Sequence, residues 1–145
     1  MEIISRSEEQ TKDFALRFAS GLNPSKTRAL VIGLYGNLGA GKTTFMRYFA
    51  PALGVRETIQ SPTFVIMKFF PIPDHQYFKK LIHIDAYRLD SPDDLLKLGW
   101  AEIVANKENV VCVEWPERVA SIMGEHFVLK FEHGEGEKER KISVA

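Results

Sequence analysis

Gly36-Asn37-Leu38-Gly39-Ala40-Gly41-Lys42-Thr43 spells G-x-x-x-x-G-K-[ST]. Residues at this spacing wrap backbone N–H groups around phosphate oxygens. Glycines at 36, 39 and 41 permit a close approach that a Cβ would hinder. The helix expected next points its positive N-terminus at the anion. Lys42 is placed to reach the β- and γ-phosphates, and the Thr43 hydroxyl suits Mg²⁺. Thr44 is a further candidate, near the α-phosphate. A random chain of this length matches the pattern at a rate of about 0.5%. This match also follows a β-type run and precedes a helical pattern, as the mechanism requires.

Phosphoryl chemistry with Mg²⁺ usually needs a carboxylate beside such a loop. Two candidates end apolar runs: Asp85 in "LIHIDAYRL" and Glu114 in "VVCVEW". Carboxyl ends of strands line the ligand crevice of open α/β sheets. One acid would hold Mg²⁺ and the other orient an attacking water; the bland alternative is a helix cap or a surface pair with arginine. Thr63 in "SPTF" is either an ordinary turn residue or a sensor of γ-phosphate. Arg88 is either a phosphate or partner contact or a surface ion pair of little worth. Trp100 and Trp115 read as core or lid residues. His83 and His133 have no metal-ligand spacing with other His or Cys residues, and neither is read as a ligand.

These residues need a scaffold, and the sequence outlines one. Ser7-Glu8-Glu9-Gln10 is a capping box, and Phe14, Phe18 and Leu22 give the following helix an apolar face, ended by Gly21 and Pro24. "ALVIGLY" over 29–35 suits a strand buried on both faces. A helix over 43–53 follows, with Gly54 as its stop and Pro51 predicting a kink or early end. Runs at 64–70 and 78–84 predict two strands around a Pro71, Pro73, Asp74 turn. Ser91-Pro92-Asp93-Asp94 starts a helix that Gly99 closes. "NVVCVE" over 109–114 is another buried strand, and "HFVLKFEHGEGEKERKISV" predicts a terminal hairpin. The sum is one α/β domain over residues 1–145 with a hairpin edge.

Composition sets outer bounds. The chain has 145 residues, 45% of them hydrophobic, which suits one domain with a full core. Lys plus Arg and Asp plus Glu are 19 each, so whole-molecule charge gives no reason to bind nucleic acid or a membrane surface. A single cysteine, Cys112, forms no internal disulfide and suits a reducing compartment. The N-terminus lacks a signal-peptide pattern, and no run approaches the roughly 20 apolar residues of a membrane helix. The expectation is a soluble cytoplasmic protein.

"GNLGAGKTTFMRYFAPALGV", "SPTF", "HIDAYRL", "LGWAEI" and "VVCVEWPER" occur in the order and spacing of bacterial TsaE, the ATPase component of tRNA threonylcarbamoyladenosine biosynthesis. The resemblance covers nearly the whole chain. It implies a phosphate-loop NTPase-type, three-layer α/β domain with a mostly parallel central sheet and an antiparallel C-terminal hairpin. It implies ATP or ADP on the loop 37–44, with Leu38 among its contacts. Thr43 and Glu114 would lie at Mg²⁺ with Asp85 close by, and "SPTF" would act as a switch loop. Thr11 would touch the adenine, and Glu117, Lys138 and Arg140 would border the nucleotide. TsaE-like proteins work with TsaD and TsaB. TsaD transfers a threonylcarbamoyl group to the adenosine beside the tRNA anticodon, and ATP hydrolysis resets that complex, so tRNA contact is indirect.

Two other classes compete. A small-molecule kinase needs an acceptor pocket and usually an arginine-bearing lid. Arg47, Arg56, Arg88, Arg118 and Arg140 form no cluster in sequence, and no segment is long enough for an acceptor domain. A GTPase commonly reads guanine with N-K-x-D. "ANKENVV" offers Asn106-Lys107 but Asn109 in place of the aspartate, and precedes a strand rather than following one.

Overall fold

A computed structural model describes residues 1–37, 39–59 and 66–145. Two sequence candidates, Leu38 and Thr63, lie outside the described residues. Among the described residues, seven strands form one sheet in the order β1-β7-β6-β2-β5-β4-β3. They are β1 (Glu2–Ser5), β2 (Leu30–Tyr35), β3 (Met67–Pro71), β4 (Lys80–Asp85), β5 (Asn109–Glu114), β6 (Phe127–His133) and β7 (Arg140–Val144). The centre, β6-β2-β5-β4, is parallel; β3 and the β7-β1 pair add antiparallel edges.

Alternation along the central strands fills two cores. Ile32, Leu34, Val110 and Cys112 face α1 (Glu8–Ser20) and α2 (Lys42–Leu53), where Phe14, Phe45 and Phe49 are buried. Val31, Ile82, Ile84, Val111 and Val113 face the opposite layer. That layer holds α3 (Pro92–Lys97), α4 (Trp100–Ala105) and α5 (Ala120–Met123), which bury Leu95, Trp100, Ile103 and Met123. Strands buried on both faces explain why β2 and β5 read as unbroken apolar runs.

Local chemistry sets the helix ends. Ser7 Oγ accepts from the Gln10 N–H at 3.2 Å, as a capping serine should. Gln10 Oε1 accepts from the Arg6 N–H at 2.7 Å, one residue earlier than a strict capping box. Pro51 does not end α2 early. It lies inside the helix, which closes through Gly54 N–H to Pro51 O at 2.9 Å and Val55 N–H to Ala50 O at 3.1 Å.

Gly99 has a double role that the sequence reading missed. Its φ of 98° is left-handed; its N–H reaches Leu96 O at 3.1 Å to close α3, and its carbonyl accepts from Ile103 to start α4. Of the strand read at 64–70, residues 64 and 65 lie outside the described residues and β3 runs from Met67; the strand read at 78–84 begins later, at Lys80. β1 was not foreseen; it pairs with β7 at the far edge.

Candidate functional site

The site forms where β2 ends. Its chain leaves the sheet at Tyr35, turns through the glycine loop and enters α2 at Lys42. Gly36 has φ 143°, and a Cβ there would run into the Phe131 carbonyl oxygen of β6. This loop therefore lies against the neighbouring strand in a path that only glycine follows. Gly41, φ 110°, caps α2 without a side chain, leaving its first N–H groups open to an anion.

Sheet register brings the acids to the same place. Glu114 is the Cα partner of Leu34 on one side and of Asp85 on the other. Both acids thus end parallel strands beside the loop. A cavity of about 480 Å³ is lined by Gly39, Gly41, Lys42, Thr43, Thr44, Asp85 and Glu114, together with Thr11, Lys138 and Arg140. Ser7, Glu8, Trp115 and Glu137 also line it. Asn37 is exposed, Ala40 is buried and neither lines the cavity; Glu117 is exposed on the 3₁₀ turn Pro116–Arg118 and does not line it either.

Lys42 is 5% exposed and is among the residues that line this cavity. Nζ donates to Gly36 O at 2.7 Å and lies 4.3 Å from the centre of the Trp115 ring. Burial lowers its pKa from the usual lysine value; Glu114, Glu117 and Asp85 oppose that shift through their charge. Glu117 therefore acts on the lysine at a distance. Trp115 has a left-handed backbone, φ 57° and ψ 49°, unusual for a bulky residue. Its ring packs on Tyr87 at 5.1 Å between centroids, and the Arg118 guanidinium lies 5.2 Å from the Tyr87 ring.

Each acid has a second bond. Asp85 Oδ1 accepts from the Tyr87 N–H at 3.0 Å, so the capping alternative holds for one of its oxygens. Glu114 Oε2 lies 2.8 Å from His83 Nε2. Thr11 Oγ1 lies 2.7 Å from Ser5 Oγ, which donates to Ser7 O at 2.9 Å. Ser5 has thus spent its proton, so Thr11 donates to Ser5 and keeps a lone pair for the cavity. Arg140 Nη1 donates to the Glu137 and Glu139 carbonyls at 2.9 Å each, which fixes the guanidinium against the loop.

A hard cation fits these oxygens. Among the described residues no group of three His, Cys, Asp or Glu side chains is placed to hold a metal by itself. Mg²⁺ asks for less: one or two carboxylates with waters and phosphate oxygens. Asp85, Glu114 and Thr43 all line the cavity, so oxygen donors of the kind Mg²⁺ takes are present there.

The guanine-reading alternative meets a structural answer. Asn106 Oδ1 accepts from the Glu108 N–H at 2.9 Å, and Asn109 Nδ2 donates to Ile103 O at 3.0 Å. Both asparagines tie off the turn between α4 and β5. Of the two sequence alternatives for Trp115, core or lid, its half-buried place on the cavity wall fits the lid; sequence reasoning missed His83 as a partner of Glu114. The signal for His83 was its place two residues before Asp85, on one face of one strand.

A glycine loop between a central parallel strand and a helix, with two acidic strand ends beside it, defines a phosphate-loop α/β domain. The family model described as "Threonylcarbamoyl adenosine biosynthesis protein TsaE" matches residues 5–142. The chain belongs to the TsaE family. It is 40% identical over 119 residues to a tRNA threonylcarbamoyladenosine biosynthesis protein TsaE of Aquifex aeolicus, covering 81% of this chain and 77% of that one. A protein of the same name in Treponema pallidum is 34% identical over the full length of both chains. The crystal structure of Bacillus subtilus YdiB superposes with a TM-score of 0.74 at 29% identity, covering 99% of this chain and 83% of that one.

Proposed function

We propose that this protein is a Mg²⁺-dependent ATPase that serves threonylcarbamoyl transfer to the adenosine beside the tRNA anticodon. The observation that carries the reading is the meeting of Lys42, Thr43, Asp85 and Glu114 on one cavity. In this reading the loop N–H groups and the α2 N-terminus bind the phosphates. Lys42 leaves the Gly36 carbonyl and offsets charge on the β- and γ-phosphates. Thr43 and Glu114 hold the cation, and Asp85 orients the attacking water. Bound Mg²⁺ would polarise the γ-phosphoryl group and shield its charge. Thr11 offers its lone pair to the adenine amine, and Lys138 and Arg140 border the phosphates from the hairpin.

TsaD and TsaB are the proposed partners, with tRNA reached through them and hydrolysis resetting the assembly. The test is phosphate release by the protein alone and with the TsaD–TsaB pair, with and without tRNA. Slow release alone and clear stimulation by the pair are expected. Equal rates in all conditions would reject the assembly ATPase; release that instead follows an added small-molecule acceptor would identify a kinase. Thr63→Ala is expected to weaken stimulation more than ADP affinity, since ADP lacks the phosphate to be sensed. Equal losses in both would reject that sensing role alone.

A further inference from the structure

His83 is 4% exposed and sits on the face of β4 that packs toward α1 and α2. On that face it has Leu81 below it on its own strand and Val110 and Cys112 on β5, all apolar, with Asp85 and Glu114 one step above toward the cavity. An imidazole there costs desolvation that a leucine would not. Among the described residues, what offsets this is the contact of Nε2 with Glu114 Oε2 at 2.8 Å. A carboxylate only accepts, so the shared proton belongs to Nε2 and the bond has a fixed direction. Glu114 in turn is 13% exposed and lines the cavity.

We propose that His83 is a positioning residue for the cation site: it clamps Glu114 Oε2 so that Oε1 is presented to a divalent ion bound with the nucleotide. This rests on the metal–nucleotide reading above. A free glutamate side chain rotates about three bonds and must be immobilised when it ligates. Here the cost of holding it is met by the fold, before any ligand arrives. The strand register makes the clamp possible. His83 and Cys112 are Cα partners, as are Asp85 and Glu114, so the imidazole lies one step down the sheet from both acids. Groups that orient a ligating side chain typically change metal affinity by about 10–100-fold when removed.

The experiment is calorimetric titration of the full chain with ADP, in EDTA and in MgCl₂, for wild type, His83→Ala and His83→Gln. Mn²⁺ affinity of each ADP complex is measured in parallel by electron paramagnetic resonance. His83→Ala is expected to bind ADP within about twofold of wild type in EDTA, but to lose about tenfold in Mn²⁺ affinity. His83→Gln places an amide N–H near the Nε2 position and is expected to restore most of that loss. A purely structural histidine would lower stability without this split, and glutamine would not rescue the metal. Wild-type Mn²⁺ affinity in both variants overturns the clamp while leaving the nucleotide site standing. Absence of any Mg²⁺ effect on ADP binding in wild type rejects the metal reading and the clamp together. If the alanine variant does not fold, His83→Leu decides, because it keeps the volume without the donor: an Mn²⁺ affinity lowered by about tenfold with ADP binding in EDTA near wild type supports the clamp, and wild-type Mn²⁺ affinity overturns it.

Discussion

Lys42 already has partners, a carbonyl and an indole, before any phosphate arrives. A hydrogen bond from a charged donor is worth about 1.5–3 kcal/mol, and a partly desolvated cation–π contact about 1–2 kcal/mol. Incoming phosphates must outbid both. Lys42→Ala is expected to remove most productive ATP binding or turnover, read by phosphate release and nucleotide titration. Wild-type values in that variant would remove the lysine from the site. The lowered pKa adds a pH dependence with a definite sign. As pH rises through the depressed value, the free protein loses this charge earlier than an ordinary lysine would. Phosphate-dependent affinity for ADP should therefore fall with pH below the usual lysine range, a fall that Lys42→Ala should abolish. The two acids separate by chemistry. Asp85→Asn keeps an oxygen that caps Tyr87 but removes charge; Glu114→Ala removes both the charge and the partner of His83. Both are expected to fold and to lose Mg²⁺-dependent hydrolysis, with Glu114→Ala the less stable in urea. Normal hydrolysis by both in the presence of the partner pair would exclude the strand ends from the chemistry.

Elements position these residues through register and close approach. The loop can run this close to β6 because Gly36 has no Cβ to strike the Phe131 carbonyl oxygen. Gly36→Ala is expected to lower unfolding stability by about 1–3 kcal/mol through backbone strain, visible as a lower urea midpoint at unchanged slope. An unchanged midpoint would show that the loop can move off β6 freely. Elements with strong local signals were legible in the sequence: the Ser7 cap, the glycine loop, the double-sided apolar strands β2 and β5, and the β6–β7 hairpin. What was not legible depends on contacts distant in sequence. β1 has four residues and exists by pairing with β7. Gly99 reads as a stop because a glycine after an apolar stretch usually is one; its second helix owes its place to the burial of Trp100 and Ile103. The convergence of Asp85 and Glu114 was inferred from a general rule for strand ends, whereas the His83 contact needed the actual register. Spacing within one chain segment cannot reveal a bond across 31 residues.

At the scale of the molecule, the cavity joins segments from the whole length of the chain: the start of α1, the loop, two strand ends and the terminal hairpin. Among the described residues no helix is long and apolar enough to cross a membrane. A ligand that bridges such distant segments favours the folded state as a unit. At a hundred times its dissociation constant, it would add about 2.7 kcal/mol to unfolding stability. The protein also carries its own stopwatch for that effect. Cys112, the single thiol of the chain, is fully buried in the middle of β5 between β2 and β4. Burial pushes its pKa far up, so it is inert while the sheet is closed. A disulfide reagent can therefore reach it only when the central strands part. Where closing outruns labelling, the labelling rate counts the open fraction. ADP with Mg²⁺ at that excess is expected to slow the reaction by about a hundredfold. Labelling at the same rate with and without nucleotide would mean that the thiol becomes accessible by a local opening the cavity does not govern.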